Sequence, residues 1–104
     1  MAIPNYGQNS HGDMLDQFAK ALQGSKTWDA GSIADGNEEA LEITVLGAEL
    51  GDFVLCSLGV DQADLDLGGA VTAADTVTLV IGNDTGGSID LASTTAYCLV
   101  IKKA

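Results

Sequence analysis

The stretch from Gly47 to Val60, G-A-E-L-G-D-F-V-L-C-S-L-G-V, decides the reading of the fold. Glycines at 47 and 51 bracket a turn, and the residues that follow are apolar at positions of both parities. A strand that is apolar on both faces needs a covering layer on each side. Residues 53–60 are therefore predicted to form the central buried strand, with Leu55 as a core residue.

Outward from this stretch the same grammar recurs. Glu38 to Leu46 places Leu41, Ile43 and Val45 on one face and turns Glu42 and Thr44 outward. Asp61 to Asp66 is a polar corner leading to a weaker strand near Leu67 to Thr72, where Gly68 and Gly69 predict a bulge or a close backbone approach. Ala73 to Asp75 turns into a strand over Thr76 to Ile81, and Gly82 to Gly87 reads as a hairpin-like connection. Ile89 to Leu91 and Thr94 to Lys102 close the chain, with Val100 expected in the core. Short β-branched runs between Gly, Asp, Asn and Ser predict a mainly β chain: a single antiparallel β-sandwich or small barrel.

Upstream the pattern changes. Residues 1–12 hold the only proline and the only histidine among Gly, Asn, Ser and Gln, and read as a flexible arm. In D-M-L-D-Q-F-A-K-A-L-Q-G, residues Met14, Leu15, Phe18, Ala21 and Leu22 recur at helical spacing, with Asp13 at the start and Gly24 as a stop. The spacing predicts a short amphipathic helix over 13–24. Residues 1–24 are thus an arm and helix, and residues 25–104 a β-sandwich domain entered through a short strand around Thr27 and Trp28.

In 104 residues there is enough chain for one domain and one core. Fifteen acids against four lysines and no arginine give a formal charge of −11, which repels phosphate backbones and anionic headgroups. Nucleic acid and membrane surfaces are therefore not expected partners. The acids fall at turns and alternate strand positions, including Asp52, Asp61, Asp64, Asp75, Asp84 and Asp90, and read as a solvated surface. The N-terminus shows neither a basic nor an apolar export segment. Cys56 and Cys98 lie in different predicted strands among apolar neighbours, the setting of reduced, buried thiols; they can pair only if their strands face each other.

Catalytic chemistry is not signalled. His11 stands alone in the arm, so no nucleophile and base pair can be drawn, and two distant cysteines make no zinc set. The D-Q-A-D-L-D corner at 61–66 lacks the order of an EF-hand, and the N-D-T-G-G-S-I-D run at 83–90 is one copy of a turn that calcium-binding β-rolls repeat in tandem. Carboxylate pairs are too many to mean anything, and the aromatic platforms that sugars prefer are few. No catalytic residue, metal ligand or cofactor is expected. Trp28, between the predicted helix and the first long strand, suits either a core plug or an interface anchor.

Four segments together carry a likeness: G-S-I-A-D-G at 31–36, L-E-I-T-V-L-G-A-E-L-G-D-F-V-L-C-S-L at 41–58, V-T-A-A-D-T-V-T-L-V-I-G-N-D-T-G-G-S-I-D-L-A-S at 71–93, and a closing Y-C-L-V-I-K-K. Across residues 27–103 the chain resembles small virion proteins of tailed bacteriophages. The resemblance implies a capsid decoration, or cement, protein made in the host cytoplasm and placed on the outer capsid surface. It further implies a trimer that bridges copies of the major capsid protein. A head-fibre or other appendage module binding host-surface glycans through loops 61–66 and 83–88 is the alternative it allows, and a calcium-dependent adhesin a third class. On the decoration reading, Met14, Leu15, Phe18, Leu22 and Trp28 are the expected capsid-anchoring residues.

Overall fold

The computed structural model of the chain describes residues 21–104. Eight strands follow in order: β1 (Ala21–Trp28), β2 (Gly31–Ile33), β3 (Glu38–Thr44), β4 (Phe53–Leu58), β5 (Asp66–Ala73), β6 (Thr76–Gly82), β7 (Ile89–Leu91) and β8 (Thr94–Ile101). They form three sheets in the orders β1-β8-β4, β3-β6-β5 and β2-β7, and every pairing is antiparallel. The described chain is mainly β, as its sequence predicts.

The central strands of the two larger sheets are β8 and β6. Each is paired along both edges, which gives its backbone groups partners within the sheet. Val77, Leu79 and Ile81 of β6 and Ala96 and Val100 of β8 are wholly enclosed. The expectation for Val100 is met. Side chains of the two sheets meet in one core: Gly24 of β1 backs onto Ile43 and Val45, and Gly69 of β5 backs onto Val54 of β4. A Cβ at Gly69 would stand 2.6 Å from Leu79 Cδ2 and 3.2 Å from Val54 Cγ1. The close approach predicted there is present, while the bulge falls further along, between Val71 and Ala73.

Residues 53–60 do not form the central strand. Their ordered part, β4, lies at a sheet edge, paired with β8 alone. Val54, Cys56 and Leu58 turn inward, whereas Phe53 and Leu55 are 64% and 59% exposed. Leu55 is thus not a core residue. Its strand has a covering layer on one face only among the described residues, and the second apolar face is left to solvent.

The predicted helix is not seen. Ala21 and Leu22 lie in β1, which pairs along its whole length with β8 from Ala21↔Ile101 to Trp28↔Thr94. A run of strand partners on an open sheet edge outweighs the modest helix preference of Ala and Leu. Gly24 is accordingly no helix stop but a point where the backbone passes close over Ile43 and Val45. The remainder of the predicted helix and the arm lie outside the described residues, and β1 runs across the expected 24/25 domain boundary.

Gly82 to Gly87 is not a hairpin. It carries the chain from β6 in one sheet to β7 in another. Asn83, 1% exposed, organises this crossing. Its side-chain N–H groups donate to Ile33 O at 2.7 Å and Gly87 O at 2.8 Å. Its Oδ1 accepts from the Thr85 backbone N–H at 2.9 Å and from the Thr85 hydroxyl at 2.7 Å.

Candidate functional site: the outer face of the β1-β8-β4 sheet

Strand alternation sorts the residues of this sheet into two sets. The inner set carries Trp28, Ala96, Cys98 and Val100, all buried. The outer set is ordered by register into rungs: Ala21–Ile101–Phe53, then Gln23–Leu99–Leu55, then Ser25–Tyr97–Ser57. None of these residues is charged. Phe53, Leu55 and Tyr97, the last 48% exposed, stand together with the half-buried Leu99 and Ile101. A shallow depression of about 620 Å³ crosses the rungs from Gln23 to Leu55.

Contiguous apolar surface of this kind marks a contact site more often than scattered exposed residues do. The arrangement offers burial and aromatic packing. Its only hydroxyls on the ordered rungs are those of Ser25, Tyr97 and Ser57; the two thiols lie on the inner side, where burial pushes both Cys56 and Cys98 upward from the usual thiol value.

The outer face of the β3-β6-β5 sheet is acidic, its other positions held by Thr, Ala, Gly and Val80. Glu38 and Asp66 flank Gly82 on one rung, Glu42 lies on the rung of Thr78 and Ala70, and the Thr72 and Thr78 hydroxyls share a hydrogen bond of 2.7 Å. A second depression of about 460 Å³ at its end is bordered by Glu38, Asp66 and Asp84.

One end of the β1-β8-β4 sheet is tied down by charge. The Asp52 carboxylate, with a side chain 0% exposed, accepts from Lys102 Nζ at 2.6 Å and from the Lys103 backbone N–H at 3.0 Å. It also accepts from the Glu49 backbone N–H at 2.9 Å. Lys102 further donates to Glu49 at 2.9 Å and to Gly47 O at 2.8 Å. The Lys102 hydrogen bond, aided by the Lys103 and Glu49 N–H groups, holds Asp52 well below the ordinary carboxylate range against the opposing effect of burial. Lys102 is correspondingly raised, first by Asp52 and then by Glu49. Asp52 is therefore not part of the solvated acidic surface. Gly47 and Gly51, both at φ +94°, shape the turn that presents it.

Of the anchoring residues expected from sequence, Trp28 is buried in the core and Leu22 is half-buried on the inner side of β1, beside Gly47. Met14, Leu15 and Phe18 lie outside the described residues. The structure brings forward Phe53 and Leu55, which the sequence placed in a central buried strand, together with Tyr97 and Leu99, which it did not single out. Their signal was present as apolar residues at alternate positions in two strands.

Asp61 closes its own turn by accepting from the Ala63 N–H at 3.0 Å, and Leu65 of the same corner is buried. Among the described residues no group of three or more His, Cys, Asp or Glu side chains is placed to hold a metal ion. Compared with protein-family models and with curated proteins, the chain matches none.

Proposed function

We propose that this chain is a non-enzymatic structural protein that binds the outer surface of a tailed-bacteriophage capsid and reinforces it by bridging copies of the major capsid protein. The observation that carries the reading is the uncharged apolar face built from Phe53, Leu55, Tyr97, Leu99 and Ile101. In a chain of net charge −11, it is a face on which a protein partner meets no carboxylate. Burying an exposed Phe or Leu side chain contributes about 1.5–3 kcal/mol, and a repeated lattice multiplies such modest contacts into large collective stability.

The body is a β-sandwich in this proposal, with β1-β8-β4 packed on β3-β6-β5. The contacts of Gly24 with Ile43 and Val45, and of Gly69 with Val54, support it. Assembly as a trimer at three-fold positions follows from the resemblance to phage virion proteins, which also supports the partner. The glycan-binding alternative draws less support, since the exposed aromatics Phe53 and Tyr97 stand on the sheet face and not in loops 61–66 and 83–88.

The test is co-sedimentation of the purified chain with expanded capsids assembled without it. Saturable binding, with shells that then rupture at a higher temperature, is the expected result. Failure to sediment with such shells at micromolar concentrations overturns the proposal.

A further inference from the structure

Cys56 and Cys98, distant in sequence, are direct register partners on β4 and β8. The hydrogen-bond phase of this ladder is fixed just beyond it, where the Gly59 backbone N–H donates to Thr95 O at 2.9 Å. Antiparallel rungs alternate between hydrogen-bonded and non-hydrogen-bonded pairs. Counting back from the Gly59–Thr95 rung, Ser57–Tyr97 is hydrogen-bonded and Cys56–Cys98 is not. Non-hydrogen-bonded partners approach to about 4.5 Å between Cα atoms, inside the span of about 4.4–6.8 Å that a disulfide bridges. Both side chains project to the inner side of the sheet, and both thiols are free.

The geometry points to a cross-strand oxidation site: Cys56 and Cys98 form an intrachain disulfide by exchange with a small-molecule disulfide, tying the edge strand β4 to the central strand β8. Cys56, the less buried of the two, attacks first. Its thiolate displaces one thiol from the small disulfide, giving a mixed disulfide on β4. The Cys98 thiolate then attacks the Cys56 sulfur and releases the second thiol. One small disulfide is reduced to two thiols, and two protein thiols become one disulfide. The Cys98 sulfur leans toward Gly24, 3.3 Å from where a Cβ would stand there, so rotation about χ1 carries it to its partner. Burial raises both thiols, and the neighbouring Cys56 adds to this at Cys98, partly offset by the Gly24 backbone N–H. The thiolate is the reacting form, so exchange is slow at neutral pH and faster in mild alkali. The inference stands independently of the capsid proposal.

The experiment incubates the folded full-length chain with excess oxidised glutathione at about pH 9, followed by intact mass and thiol titration after denaturation. The expected product has lost two hydrogens, carries no glutathione and has no titratable thiol. Its unfolding midpoint rises by about 5 °C or more, reversibly on reduction. Cys56→Ser and Cys98→Ser variants treated alike should show no such rise. Two remaining thiols, a glutathione adduct that never resolves, or disulfide-linked dimers as the only product would each overturn it.

Discussion

The two larger sheets contribute to one core but differ in their outer faces. On β3-β6-β5 the outer positions hold Glu38, Glu42 and Asp66 among Thr, Ala and Gly, with Val80 the one large apolar residue. On β1-β8-β4 the same positions hold Phe53, Leu55, Tyr97, Leu99 and Ile101 with no charge at all. Residues of both sheets pack in one core; only the second sheet leaves an apolar face uncovered among the described residues. The difference separates what holds the chain together from what is available to hold something else.

The largest expected effects test that separation through stability. Leu79→Ala, at a wholly enclosed position, should cost about 2–5 kcal/mol, and Val100→Ala about 1–3 kcal/mol, through lost burial and a cavity. Leu55→Ala, at 59% exposure, should change stability by no more than about 0.5 kcal/mol. Urea midpoints of the three variants check this, and equal losses at Leu79 and Leu55 would break the comparison.

Neighbouring glycines sharpen the inner side. Gly69→Ala drives a methyl group against Leu79 and Val54 and should cost about 1–3 kcal/mol. Gly68→Ala, with nothing within 4 Å, should be neutral or mildly stabilising. Thermal melts of the two single variants distinguish a strand packed on one face from one packed on both.

A smaller effect attaches to the charged tie at the sheet's end. Because the folded-state value of Asp52 lies below its ordinary 3.8, its contribution is present above that pH and is lost as pH falls toward the folded value. Lys102 is raised above 10.5, so its contribution holds below that pH and is lost as pH rises through the folded value. Stability should therefore be flat through neutrality and fall in acid. Asp52→Asn should lower the neutral-pH midpoint and weaken the acid dependence, measured by melts from neutral to strongly acidic buffer.

These results also mark what the sequence could carry. In T-V-T-L of β6 and L-E-I-T of β3, hydrophilic residues alternate with apolar ones, and one buried face follows directly. F-V-L-C-S-L of β4 is apolar at both parities, and that pattern alone does not say whether its second face meets the chain's own layer or a partner. The spacing from Met14 to Leu22 suits a helix, but for Ala21 and Leu22 the decision lies with the open edge of β8, distant in sequence. Asp52 looked like one turn acid among many because its partners, Lys102 and Lys103, stand at the far end of the chain.

The central claim is that the uncharged face of β1-β8-β4 is the binding surface, and one measurement addresses it most directly: capsid co-sedimentation of Leu55→Asp beside Ala40→Asp, which places the same charge on the acidic face. Both variants should melt close to the parent, confirming intact cores. Ala40→Asp should saturate capsids as the parent does, while Leu55→Asp should lose at least about tenfold in affinity, the equivalent of about 1.4 kcal/mol. Parent-like binding by Leu55→Asp, with loss in Ala40→Asp, would contradict it.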